Sequence, residues 1–104
     1  MKMLLILITV LLASVPTFAA EHKIAQKDME FSRKEITITV GDTIVFVNTD
    51  TATHNVFSAS ENFHFDSQMQ EPGKSSAVQF SKAGSFDIRC AMHPKMKLKV
   101  TVVP

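Results

Sequence analysis

The sequence predicts an all-β sandwich of six to eight short strands, and three observations carry that expectation. Residues 35–103 repeatedly alternate apolar and polar side chains with the period of two that marks a half-buried strand. The runs are short and are separated by turn residues, among them Gly41-Asp42, Pro72-Gly73 and Ala83-Gly84. No stretch of this region shows the three-and-four spacing of an amphipathic helix. Many short strands and no helix can bury their apolar faces only by packing sheet on sheet.

The fold is preceded by a leader. Met1-Lys2 gives one positive charge, Met3 to Val15 is nearly unbroken Leu, Ile, Val, Met and Ala, and Pro16-Thr17-Phe18-Ala19-Ala20 ends in small residues. This layout predicts a secretory signal peptide over residues 1–20, with cleavage after Ala19 or Ala20. The apolar run falls short of the roughly 18–20 residues that cross a bilayer, so no stable membrane anchor is expected. No Cys stands at the boundary to take a lipid. Residues 21–104 then form one domain, expected in the periplasm or otherwise exported.

A chain of about 85 residues buries only roughly 60–65% of its unfolded surface, and exported domains of that size commonly lean on disulfides. Cys90 is the only cysteine, which rules out an internal one. Such a thiol in an oxidising compartment is either inert by burial or occupied by a metal. Of the eleven Lys and Arg, loss of Lys2 leaves ten, against ten Asp and Glu. A balanced charge with no basic stripe between aromatics points to no nucleic-acid partner.

Taken in order, Glu35 to Val40 places Ile36, Ile38 and Val40 on one face and Thr37 and Thr39 on the other. Gly41-Asp42 turns the chain. Thr43 to Val47 is a continuous β-branched and aromatic run, expected to be covered on both faces. Asn48 to Ala52 is a polar loop, and His54 to Ser58 reads as a short strand. The segment 59–75 accommodates either a short helical turn or an extra edge strand. Ala77 to Phe80, a turn over Ser81 to Gly84, and Phe86 to Cys90 read as a hairpin. Lys97 to Val103 closes the chain, with Leu98, Val100 and Val102 opposite Lys97, Lys99 and Thr101.

That patterning also aims the chemistry. Phe86, Ile88 and Cys90 share a face, and Met96 shares phase with Leu98, Val100 and Val102. The loop from Ala91 to Lys95 therefore bridges two adjacent strands, with both sulfurs inward and His93 between them on the solvent side. A thiolate, an imidazole and a thioether in seven residues, with His54 upstream, match a trigonal copper site of one Cys, two His and a weak axial Met. Zinc would take Cys90, His54 and His93 but has little use for Met96. A Cys–His nucleophile pair would need an orienting group and a substrate cleft, which a loop with Pro94 directly after the His does not offer.

The same residues resemble a known family. His54-Asn55-Val56 followed by Cys90-x-x-His93-x-x-Met96 is similar to the cupredoxins, the type 1 blue-copper proteins, in the amicyanin, pseudoazurin and plastocyanin group. The likeness runs from Ile36 to Val103 and includes Glu71-Pro72-Gly73-Lys74-Ser75 and Ala83-Gly84-Ser85-Phe86. It implies a Greek-key sandwich that binds one copper per chain and transfers single electrons without being an enzyme. It implies His54, Cys90 and His93 as equatorial ligands, Met96 as the axial one, and Asn55 as the residue that ties the upstream loop to the Cys loop. It further implies a monomer whose redox partner docks over His93. A copper carrier or storage protein, delivering the metal to another exported protein, would use the same donors. The chain departs from the family at Ile88 and Arg89, where an aromatic is usual, and at Met92, where Pro or a small residue is usual.

Other candidates read as ordinary surface or packing. His22 is expected to be solvated at a frayed terminus, and His64 has no companion at ligand spacing. Met29, Met69 and Met92 are scattered and read as packing residues, although extra Cu(I) would suit them. Lys95, Lys97 and Lys99 form a solvated face that can help dock an acidic partner.

Overall fold

The computed structural model describes residues 2–12 and 19–104. The rest of the leader, including Thr17 of the expected cleavage signal, lies outside the described residues. Eight strands follow Ala20: β1 (Glu21–Lys27), β2 (Glu30–Phe31), β3 (Glu35–Thr39), β4 (Thr43–Asn48), β5 (Phe57–Ser58), β6 (Ser75–Gln79), β7 (Gly84–Arg89) and β8 (Lys97–Val103). They form two four-stranded sheets, ordered β2-β1-β4-β6 and β3-β8-β7-β5. From β2 to β7 every connection crosses between the sheets, which gives the sandwich its Greek-key character. The fold class is the one the sequence predicts.

The core lies between the sheets. Ile36 and Ile38 of β3, Ile44 and Phe46 of β4, Phe86 and Ile88 of β7, and Leu98, Val100 and Val102 of β8 are all buried. Phe80, fully buried, packs against Phe63 and Phe65 from the loop and Phe86 from β7, with centroids 5.1, 6.1 and 6.2 Å away. Aromatic rings thus fill the space where the strands are too short to supply enough aliphatic area.

Several local expectations are corrected. Strand β1 escapes a pattern search because its inward positions include Gln26 as well as Ile24. Its order comes from parallel pairing with β4, from Glu21↔Thr43 to Gln26↔Asn48. His22 is therefore not frayed: its Nε2 lies 2.9 Å from Asp42 Oδ2. The expected hairpin over 77–90 does not form, because β6 pairs with β4 and β7 pairs with β8 in the other sheet. Chain direction changes there at Gly84, with φ 148°, where a Cβ would sit 3.2 Å from the Phe86 ring. In β4 only Ile44, Phe46 and Asn48 are buried, since its outer face is half open to solvent. Val40 falls beyond the end of β3 and is 39% exposed. The segment 59–75 holds no helix and follows the β5 edge through bridges His54↔Gln70 and Phe57↔Asp66.

Asp42 knots the start of the domain. It is buried, and its carboxylate accepts from His22, from the Thr39 N–H and from the Ala20 N–H. Those bonds, with the His22 contact foremost, lower its pKa from 3.8 to about 2. A carboxylate depressed in the fold stabilises it above the unfolded pKa, and that contribution disappears as pH falls through the folded value. Stability is thus expected to decline between about pH 4 and about pH 2. Asp42→Asn should flatten that decline in acid titrations followed by circular dichroism; an unchanged slope would remove Asp42 from the linkage.

Candidate metal centre

The centre is built where β7 ends, β8 begins and the loop carrying His54 meets them. Cys90 directly follows β7 and ends the inward row of Phe86 and Ile88, so its thiol is buried. Met96 directly precedes β8 in phase with Leu98 and is equally buried. The five residues between them turn back on themselves, with the Met96 N–H donating to the His93 carbonyl at 2.9 Å.

His54 is fully buried. Its Nε2 lies 2.9 Å from Asp50 Oδ2, and its Nδ1 lies 3.8 Å from Cys90 Sγ. The Asp50 carboxylate is held ionised: the Met29 N–H, then His54, then the Thr51 N–H lower its pKa from 3.8 to about 2. A carboxylate that only accepts keeps the ring proton on Nε2 and leaves the Nδ1 lone pair turned to the sulfur. His93 stands edge-on to His54, centroids 4.7 Å apart. It is half-buried, yet its Nε2 is buried and has no hydrogen-bond partner.

Asn55 spans the two loops. Its Oδ1 accepts from the Ala91 N–H at 2.9 Å and from the Cys90 thiol at 3.5 Å. Sequence reading missed two further residues that set this geometry. Asn48, fully buried, donates to the carbonyls of Ala52 and Gln70 and accepts from the Asp50 N–H, which shapes the loop that leads to His54. Its signal was phase, since it continues the inward row of Ile44 and Phe46. Asp50 was legible only as a carboxylate four residues before a His.

The structure thus gathers His54, Cys90, His93 and Met96 at one end of the sandwich; His22 and His64 lie apart. Among the described residues no three His, Cys, Asp or Glu side chains already close on one point as a metal-holding group. The donor set nevertheless fits a metal. Two ligand atoms 2.3 and 2.0 Å from one first-row ion and about 120° apart lie about 3.7 Å from each other, close to the Sγ–Nδ1 separation. The buried, unpartnered His93 nitrogen is the kind of orphan that a metal satisfies.

Residues 18–103 match the family model for copper-binding proteins of the plastocyanin/azurin family. The chain belongs to that family. It is 33% identical over 90 residues to Amicyanin-alpha of Methylorubrum extorquens, covering 84% of this chain and 74% of that protein. Amicyanin of Paracoccus versutus is 34% identical over 77 residues, covering 71% of this chain and 58% of that protein. Among solved structures, a Cu(I) form of an amicyanin variant superposes with a TM-score of 0.74 at 27% identity, covering 86% of each chain. This plastocyanin/azurin-type chain is a small amicyanin-like cupredoxin, and copper is its metal.

Proposed function

We propose that this cupredoxin is an exported, monomeric carrier of single electrons, holding one copper by His54, Cys90, His93 and Met96. The observation that carries the reading is the convergence of the Cys90 sulfur on the Nδ1 of His54 beside an unpartnered His93 nitrogen. Copper supplies a one-electron couple when bound. The residues supply a dry, prearranged cradle: Asn55 fixes the two loops against each other and Asp50 fixes the tautomer of His54. A ligand set that need not rearrange lets an electron arrive and leave with little nuclear motion.

Residues 2–12 support export. Leu4 to Leu12 are exposed and bury nothing against the sandwich, which supports reading them as a leader that is no part of the core. Among the described residues no helix is long and apolar enough to cross a membrane. The domain is taken as residues 21–104, which begin with β1.

His93 is the candidate ligand nearest solvent, in a rim with exposed Met92, Pro94 and Lys95. A small, mostly apolar rim suits a transient partner that docks over His93, burying under about 1,200 Å². Lys95→Glu should slow electron exchange with an acidic partner at low salt and leave the visible spectrum unchanged. Equal rates at all ionic strengths would take Lys95 out of the contact.

The main test is optical. The oxidised protein should absorb strongly in the visible, bleach with mild reductant, and keep its copper against a strong Cu(I) chelator through repeated cycles. Stoichiometric copper without colour would refute the site. Colour with copper lost at each reduction would instead mark a carrier that delivers the metal.

A further inference from the structure

We propose that Met29 and Met92 form a Cu(I) uptake site outside the buried centre, which takes the ion from solution and passes it inward by way of His93. The proposal rests on the copper reading above but concerns two residues that take no part in holding the metal there.

The first observation is a strained turn. Lys27 pairs with Glu30, so Asp28 and Met29 are the central residues of a two-residue hairpin. Both are left-handed, with φ 53° and 57°. Glycine is the residue of choice at the second of these positions, because it has no Cβ to crowd the backbone. Here a bulky thioether holds the place. Backbone strain of this kind persists only where the surroundings hold it, and the Met29 N–H is held by Asp50 Oδ2 at 3.0 Å. That oxygen is the one bonded to His54, so the turn is fastened to the frame of the metal centre.

The second observation is where the turn points. Met29 and Met92 are 53% and 47% exposed, and both line one cleft of about 390 Å³ with His93. Asp28 and Glu30 line it as well and give its outer side a negative charge that draws in a cation, with Lys95 the opposing charge. Thioethers are soft donors that select Cu(I) over harder ions. Leucine would offer the same apolar area without that affinity. His93 lies on the same cleft wall, and its ring stands 4.7 Å from that of His54, whose Nδ1 is 3.8 Å from Cys90 Sγ, so it bridges the exposed sulfurs and the buried centre.

No electron moves during uptake. As the ion leaves the two thioethers and settles inside, the Cys90 S–H bond breaks, a sulfur–copper bond forms and the proton goes to water.

The test follows anaerobic loading of the mature apo-protein from a Cu(I)–bicinchoninate complex, with Cu(II) loading measured alongside. Ferricyanide then converts the product to the coloured form, which gives final occupancy. The Met29→Leu/Met92→Leu double variant should load Cu(I) about tenfold more slowly, with final occupancy and the Cu(II) rate unchanged. Met29→Gly should slow Cu(I) loading too, yet melt no lower than wild type, because it relieves the turn. A double variant within about twofold of the wild-type Cu(I) rate overturns the proposal. So does equal slowing for both oxidation states, which would mark the methionines as a general gate or a docking surface. Wild-type protein that takes up neither form refutes the copper reading itself.

Discussion

Replacing Cys90 with alanine is expected to abolish the visible band and most of the copper affinity while the domain stays folded. The sulfur is the only thiolate among the four donors and the one whose contacts reach both neighbours, His54 Nδ1 at 3.8 Å and Asn55 Oδ1 at 3.5 Å. The Ala91 N–H still donates to Asn55 without the thiol, so the loop keeps its tie and the backbone need not move. Met96→Leu should behave in the opposite way. It conserves volume at a buried position, costs less than about 1.5 kcal/mol in packing, and removes only a weak axial donor. Colour should therefore persist, and the potential should rise. Absorption spectra and voltammetry of the two variants decide the assignment: loss of copper in Met96→Leu with retention in Cys90→Ala would reverse the roles.

The second large effect is expected far from any donor. Phe80→Ala removes a fully buried ring held among Phe63, Phe65 and Phe86, and truncations of this kind cost about 3–5 kcal/mol. In a domain of about 85 residues that lowers the melting temperature by about 12 °C or more. The loss should be the same with and without copper, since none of the rings Phe80 packs against is a candidate ligand. Copper in thousandfold excess over its dissociation constant adds about 4 kcal/mol to the native state, enough to offset much of the defect. Calorimetry of both forms checks this. An apo-domain that is unfolded even with Phe80 intact would show that the aromatic core does not suffice by itself.

Sequence alone determined the parts that depend on local phase. Alternation placed Ile36, Ile38, Phe86, Ile88, Leu98, Val100 and Val102 inward, and continued the β7 row to Cys90 and the β8 row to Met96, because side chains on a strand can only alternate. Residue chemistry then singled out the donors, since a lone thiol beside an imidazole and a thioether has few other uses. The tertiary structure decided which strands meet. The order of β1 rests on hydrogen bonds to β4, and the partners of β6 and β7 lie in opposite sheets, although adjacent runs separated by a turn read as a hairpin. It also decided the setting of the site: the Asp50 carboxylate beneath His54, the Asn48 bonds that shape its loop, and the strained turn that brings Met29 to the cleft of Met92. The Asp50–His54 bond spans only four residues, but the Asn48–Gln70 bond and the Met29–Met92 cleft join residues about twenty to sixty positions apart. Such distances are closed by chain folding and sheet pairing, and no local pattern records them.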